Sequence, residues 1–142
     1  MSNYNPKYLG MDPKLKDYLV SYIRMYDHFK EMADALLENG VGINMDGQPH
    51  GTNTSDPTAI TAERREKYLQ DIQIIEDSIV DACRDRKGEP QVFFQTGIWQ
   101  QVKEGRHWRE IDGYYFASEK TWWTYKQRFL HEVAKRKGLI QE

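Results

Sequence analysis

Hydrophobic side chains in the N-terminal part of the chain recur at alternating spacings of four and three residues. This repeat places them on one face of an α-helix, and the face comprises Leu15, Leu19, Tyr22, Tyr26, Phe29, Ala33 and Leu36. Asp12 can cap the free N–H groups at the start, and Pro13 suits the first helical position. Asn39–Gly40 ends the pattern, because glycine readily adopts the left-handed conformation that closes a helix. We therefore predict one long helix within residues 1–39.

Glycine, proline and short polar residues dominate residues 40–58, which have no hydrophobic repeat. Such a segment is long for a loop inside a compact domain, and we interpret it as a flexible linker. A second long helix is predicted over 59–88, with Gly88 at its end. Its apolar face has the same spacing and comprises Tyr68, Ile72, Ile75, Ile79 and Ala82. The two faces can pair as an antiparallel hairpin or across a dimer.

Shorter helical patterns occupy the C-terminal segment, 89–142. Apolar residues at a spacing of four, Phe94, Ile98 and Val102, predict a helix from about 90 to 104. A short helical start is expected over 106–111. Ser118 is a candidate N-cap for the last helix, which ends at Gly138 and has an apolar face of Trp122, Tyr125, Phe129 and Val133. No segment alternates with a period of two, so the predicted fold class is all-α.

Composition narrows the class of protein. The chain has 142 residues, of which 39% are hydrophobic and 30% charged, and its mean hydropathy is -0.84. No apolar run approaches the roughly 18 to 20 residues of a spanning helix, and the N-terminus lacks the apolar core of a signal peptide. The aromatic fraction of 13% is typical of a folded domain. A single cysteine, Cys83, excludes an internal disulfide. We therefore expect a protein of a reducing cytoplasm with no membrane partner.

The net charge of -2 conceals an uneven distribution. Residues 1–88 contain 11 lysine and arginine residues against 15 aspartate and glutamate residues. Residues 118–138 contain 6 against 2, a local net charge of +4. Local charge decides the attraction of a polyanion. The C-terminal segment is therefore the part of the chain that suits DNA.

The residues between Trp108 and Arg128 match the pattern of a helix-turn-helix, in which a few buried positions fix the angle between two short helices. We expect the core positions to be Ile111, Tyr115, Ala117, Trp122 and Tyr125. The second helix of such a motif enters the major groove of DNA, and its outward residues here offer hydroxyl, amide and cationic groups. The predicted DNA-binding residues are Arg109, Ser118, Lys120, Thr121, Trp123, Thr124, Lys126, Gln127 and Arg128.

The sequence GRHWREIDGYYFASEKTWWTYKQRF, residues 105–129, is similar to the helix-turn-helix of sigma-factor region 4. More broadly, residues 56–140 resemble the phage late-transcription regulators of the RinA/ArpU type, including a closing segment with Phe129, Leu130, Val133, Ala134, Gly138 and Leu139. The resemblance implies a DNA-binding activator of phage late genes in the cytoplasm of a bacterial host. The chain departs from the motif at Asp112 and Phe116, where a small residue and a turn glycine are usual.

The expected partners are double-stranded DNA and host RNA polymerase, with the protein acting as a homodimer. Two alternatives remain open: a phage terminase small subunit that binds packaging-site DNA, and a helical interaction protein that does not bind DNA. An enzyme is not expected, since His28, His50, His107 and His131 lack ligand spacing and no phosphate-binding loop is present. We accordingly expect no metal and no cofactor. Cys83 is expected to be buried and inert.

Overall fold

Five α-helices account for most of the residues that the computed structural model describes, which are 11–44 and 57–140. They are α1 (Pro13–Arg24), α2 (Tyr26–Asn44), α3 (Pro57–Ala82), α4 (Val92–Val102) and α5 (Glu119–Arg136). Two 3-10 turns, Trp108–Glu110 and Tyr114–Phe116, lie between α4 and α5. The described residues form no β-sheet, and the predicted all-α class is confirmed. None of the described helices is both long and apolar enough to cross a bilayer.

The chain divides into two compact units that do not follow the predicted domain limits. One unit contains the described residues of 1–24 and 74–142, and the other contains 25–73. Helix α3 contributes to both units. The predicted division placed α1 in a separate N-terminal domain, whereas α1 packs against α4 and α5 of the C-terminal segment.

The unit formed by 25–73 is a hairpin of α2 and the first part of α3. The Phe29 and Tyr68 rings lie 6.1 Å apart, and Arg65 Nε donates to the Ala33 carbonyl at 3.1 Å. Residue numbers rise along one helix as they fall along the other, so of the two pairings left open by the sequence the antiparallel hairpin is formed.

Two predicted limits of the N-terminal helices were wrong. A turn at Met25 divides the helix predicted within 1–39 into α1 and α2. Helix α2 then continues to Asn44, past the predicted end at Asn39–Gly40, because a glycine inside a helix costs only about 1 kcal/mol relative to alanine. Of the predicted linker, 45–56 lies outside the described residues.

Helix α3 ends at Ala82, earlier than the predicted end at Gly88. The carboxylate of Asp85 accepts hydrogen bonds from the backbone N–H groups of Lys87 and Glu89, at 2.8 and 2.9 Å. A short polar side chain that satisfies nearby backbone donors in this way favours a turn over a further helical turn. The chain then reverses, and the Gln91 N–H donates to the Cys83 carbonyl at 2.8 Å.

The core of the larger unit is built from side chains of α1, the end of α3, α4 and α5. Its largest fully buried members are Trp122, Phe129, Leu19, Ile23, Ile75, Ile98, Leu130, Val102 and Val133. Arg136 on α5 is bound by Asp81 on α3 and by Glu132 on its own helix. Burial alone would raise the pKa of Asp81, but hydrogen bonds from Arg84 and Arg136 hold it below its ordinary value.

The first helix of the predicted helix-turn-helix is absent from residues 108–117, where the two 3-10 turns stand instead. Gln100 on α4 fixes the intervening residue Asp112 by accepting from its N–H at 2.8 Å and donating to its carboxylate at 2.9 Å. Gly113 follows with φ of 76°, and a Cβ there would lie 2.3 Å from the Phe93 ring. This clamp and the left-handed glycine prevent a continuous helix.

Gly97 on α4 lies directly against the buried indole of Trp122. A Cβ built at this position would be 2.5 Å from Trp122 Cζ3, closer than real Cβ contacts come. Helix propensity alone favours alanine over glycine by about 1 kcal/mol, whereas overpacking a tight core typically costs about 1 to 3 kcal/mol. The two effects have opposite signs.

We expect Gly97→Ala to lower the free energy of unfolding by about 1 to 2 kcal/mol, because a fully buried indole cannot move away. Urea unfolding followed by tryptophan fluorescence measures the change. Thr96→Ala, on the exposed side of the same helix, is the matched control and should change stability by less than about 0.5 kcal/mol. A Gly97→Ala protein more stable than the wild type would show that the contact with Trp122 is not tight.

Candidate nucleic-acid interface

The start of α5 is fixed by a capping serine. The predicted N-cap is confirmed, since Ser118 Oγ accepts from the Thr121 N–H at 3.1 Å. From this start, Lys120, Trp123 and Lys126 follow at a spacing of three, which aligns them along one side of the helix. None of the three is fully buried.

A groove of about 810 Å³ separates this side of α5 from the segment before it. Its walls are His107, Trp108, Arg109, Tyr114, Glu119, Lys120 and Trp123. The segment is held in shape by a capping box, in which His107 Nδ1 accepts from the Arg109 N–H at 3.2 Å and Glu110 accepts from the His107 N–H at 3.3 Å.

Within this groove a hydrogen bond joins the segment before α5 to the first residue of α5, Glu119. The Tyr114 hydroxyl donates to Glu119 Oε1 at 3.0 Å. The bond, with the negative charge of Glu119, raises the pKa of Tyr114 above its ordinary value. The side-chain oxygens of Glu119 line the groove and can accept further hydrogen bonds.

Three cations lie on the two helices α1 and α5, which pack against each other beside the groove. Lys126 Nζ lies 5.9 Å from the centre of the Trp108 ring. Burial lowers the pKa of Lys126, and the positive charges of Arg24 and Lys16 lower it further. Arg24 is itself fixed by donating from Nε to the Val102 carbonyl at 2.9 Å. An ammonium group crowded by like charges is stabilised when an anion binds beside it.

Trp108 joins the groove to the three cations, since it lines the former and lies under Lys126. We call this surface the basic–aromatic face. It is formed by Lys16, Arg24, Trp108, Arg109, Lys120, Trp123 and Lys126.

The structure brings together four of the predicted DNA-binding residues on this face, namely Arg109, Lys120, Trp123 and Lys126. Other members of the predicted set lie elsewhere on α5. With 3.6 residues per turn, Arg128 points about 160° away from Lys126; its guanidinium lies 5.3 Å from the centre of the Tyr125 ring. The predicted set is therefore not one continuous surface.

The hydroxyl groups of the predicted set take part in hydrogen bonds inside the protein. Ser118 and Thr121 share one between their side-chain oxygens at 2.9 Å. Thr124 Oγ1 donates to the Lys120 carbonyl at 2.9 Å. The outward placement predicted for Gln127 was wrong, because this residue is only 4% exposed. Beyond its first two turns, helix α5 is covered by other elements on most of its sides. The side-chain amide of Gln127 therefore cannot reach a base.

Of the five predicted core positions, two are buried, two are half-buried and one is exposed. Ile111 and Trp122 are buried, as expected, and Ala117 and Tyr125 are half-buried. The prediction for Tyr115 was wrong, since 80% of this residue is exposed. It belongs to the 3-10 turn that follows Gly113, and its ring packs on its neighbour Tyr114 at 4.8 Å instead of entering the core.

Lys16 and Arg24 were not among the predicted DNA-binding residues, because α1 was assigned to a separate domain. The sequence of α1 offered one indirect signal: α1 has its own apolar face, which needs a covering surface.

An exposed apolar patch at the N-terminal end of α4 was also not predicted. Phe93 and Phe116 pack edge to face with centroids 6.2 Å apart, and both are exposed together with their neighbours Val92 and Tyr115.

The described residues contain no group of three or more histidine, cysteine, aspartate and glutamate side chains arranged to hold a metal ion. Cys83 is buried, and burial raises its pKa to about 12. Its thiol is therefore protonated at neutral pH and is a poor nucleophile, in accordance with the expectation that it is inert.

Comparison of the chain with models of protein families, with curated proteins and with solved structures finds no match.

We expect Lys126→Met to raise the free energy of unfolding by a few tenths of a kcal/mol at low ionic strength, because it removes a charge that Lys16 and Arg24 repel. Thermal unfolding in about 10 mM and about 1 M salt measures it, and the gain should shrink as salt screens the repulsion. Lys87→Met, in the exposed loop after α3, is the control and should show no such gain. A loss of stability in Lys126→Met would mean that the contact with Trp108 outweighs the repulsion.

Proposed function

We propose that the protein binds double-stranded DNA through the basic–aromatic face and regulates transcription of phage late genes. The packing of α1 against α5 supports the DNA-binding part of the proposal most strongly. It brings Lys16 and Arg24 near enough to Lys126 for their positive charges to lower its pKa. The negative charge of a phosphate backbone relieves the repulsion on Lys126. Each neutralised phosphate also releases condensed counterions from the DNA, which favours binding further.

The mode of binding that we propose differs from insertion of a recognition helix. Gln127 is buried, and Arg128 faces away from the basic–aromatic face. The phosphates would be held by Lys16, Arg24 and Lys126 and by the exposed Arg109 and Lys120. Phosphate contacts fix the position of a protein on DNA, whereas base contacts give sequence preference.

The regulatory role rests on the resemblance of residues 56–140 to the RinA/ArpU type. In that role the protein acts as a homodimer in the bacterial cytoplasm and has host RNA polymerase as a further partner. A terminase small subunit with the same DNA-binding surface remains the alternative. The mass of the complex in solution separates a regulator dimer from a terminase ring.

The exposed aromatic patch favours a second candidate function, that of a helical interaction protein. Phe116 is 85% exposed and Val92 is 68% exposed. Contiguous apolar patches on a soluble protein often mark a surface that binds another protein. This function and DNA binding use different surfaces, so one protein can have both.

We expect the Lys16→Ala/Lys126→Ala protein to bind a DNA duplex roughly ten- to a hundredfold more weakly than the wild type near 0.1 M salt. Fluorescence anisotropy of a labelled duplex over a series of salt concentrations measures this. The slope of log K against log salt should become shallower by about two, because two phosphate contacts are lost. Arg24 is left intact, since its hydrogen bond to Val102 holds α4.

The matched control is Arg86→Ala/Lys87→Ala, which removes two positive charges from an exposed loop and should leave both affinity and slope close to the wild-type values. Equal losses in the two double variants would show that binding follows net charge and not this face. If the wild type does not bind DNA at all, the proposal is wrong.

A further inference from the structure

The groove of the basic–aromatic face differs chemically from the cluster of cations beside it. Two indoles, Trp108 and Trp123, lie in its walls with the phenol of Tyr114. Its volume of about 810 Å³ is in the range of small-ligand sites, which span about 300 to 1,000 Å³. Flat aromatic side chains in the walls of a groove suit a planar ligand that stacks on them.

The carboxylate of Glu119 adds a hydrogen-bond acceptor to the groove. Glu119 lines the groove and accepts from the Tyr114 hydroxyl. A negative charge attracts the amino group of a base such as cytosine. Arg109 and Lys120 line the same groove, so the groove is not closed to phosphates, and what Glu119 adds is an acceptor that suits a base.

Paired bases cannot enter such a groove, because their faces are covered by the stack. A base that is unpaired can swing out and stack on aromatic side chains, as in proteins that bind single strands. Arg109 and Lys120 at the rim can hold the phosphates on either side of that base.

We propose that the groove between α5 and the segment 107–114 receives one unpaired base of the DNA that is bound on the basic–aromatic face. The inference rests on the proposed DNA binding and adds to it a preference for distorted or partly opened duplexes. It assigns Trp123 and Trp108 the role of stacking platforms and Glu119 that of an acceptor for a base amino group.

The test compares two labelled duplexes of the same sequence, one fully paired and one with a single unpaired cytosine, with the full chain at fixed salt. We expect the wild type to bind the second duplex between about five- and a hundredfold more tightly, the effect of stacking one base. Trp123→Leu should bring the ratio of the two affinities close to one, whatever its affinity for the paired duplex. Trp123→Phe, which keeps an aromatic ring, should retain most of it.

A second measurement does not depend on the folding of a variant. The unpaired cytosine is replaced by 5-iodocytosine, irradiated in complex with the wild type, and the cross-linked residue is identified by mass spectrometry. Cross-links to Trp108, Tyr114 or Trp123 support the inference, and cross-links elsewhere overturn it.

The outcomes separate the two proposals. If both duplexes bind equally and Lys16→Ala/Lys126→Ala weakens both, the inference about the groove is wrong and the proposed DNA binding stands. If Trp123→Leu still prefers the duplex with the unpaired cytosine, the inference about the groove is also wrong. If neither duplex binds, the proposed function itself fails.

Discussion

The indole of Trp122 occupies the place where α4, α5 and the two 3-10 turns meet. It is fully buried, and its Nε1–H donates to the Tyr114 carbonyl at 2.9 Å. The rings of Phe93, Phe94 and Trp108 surround it at centroid distances of 5.6, 5.1 and 6.4 Å. A buried indole that lacked its hydrogen bond would be costly, so this one side chain fixes the segment 108–116 against α5. The groove lies between α5 and this segment, so it depends on the segment being held there by Trp122.

Helix α1 adds two positive charges, Lys16 and Arg24, to the surface of the C-terminal segment. The segment alone would present Lys126 over Trp108, together with Arg109 and Lys120. Packing of α1 on α4 and α5 adds Lys16 and Arg24, at the expense of repulsion among the three. Clustered like charges that weaken a fold are typical of binding surfaces, because selection for function tolerates some loss of stability. The positive charge of this face thus comes from two distant parts of the sequence and is assembled by folding.

The helical repeats allowed the fold class, the apolar faces of the long helices and the Ser118 cap to be predicted, because each depends on local spacing. They left open whether the long helices pair as a hairpin or across a dimer. The failures came from contacts between distant residues. The clamp of Gln100 on Asp112 replaced a predicted helix by two 3-10 turns, and no local pattern encodes such a pair. Exposure of Tyr115 and burial of Gln127 followed from the altered segment and from the neighbours that cover α5. Four of the nine predicted DNA-binding residues lie together on the basic–aromatic face, and Lys16 and Arg24 could be found only once α1 was placed.

The central claim is that nucleic acid contacts the basic–aromatic face and not the outer arc of α5 around Thr121 and Arg128. The most direct measurement is the nuclear magnetic resonance spectrum of the tryptophan indole N–H groups during titration with a DNA duplex. The signals of Trp108 and Trp123 should shift with the added DNA, and Trp122, whose indole N–H is bound inside the protein, should shift least. Unchanged Trp108 and Trp123 signals, with shifts confined to the backbone amides of Thr121, Thr124 and Arg128, would contradict the claim.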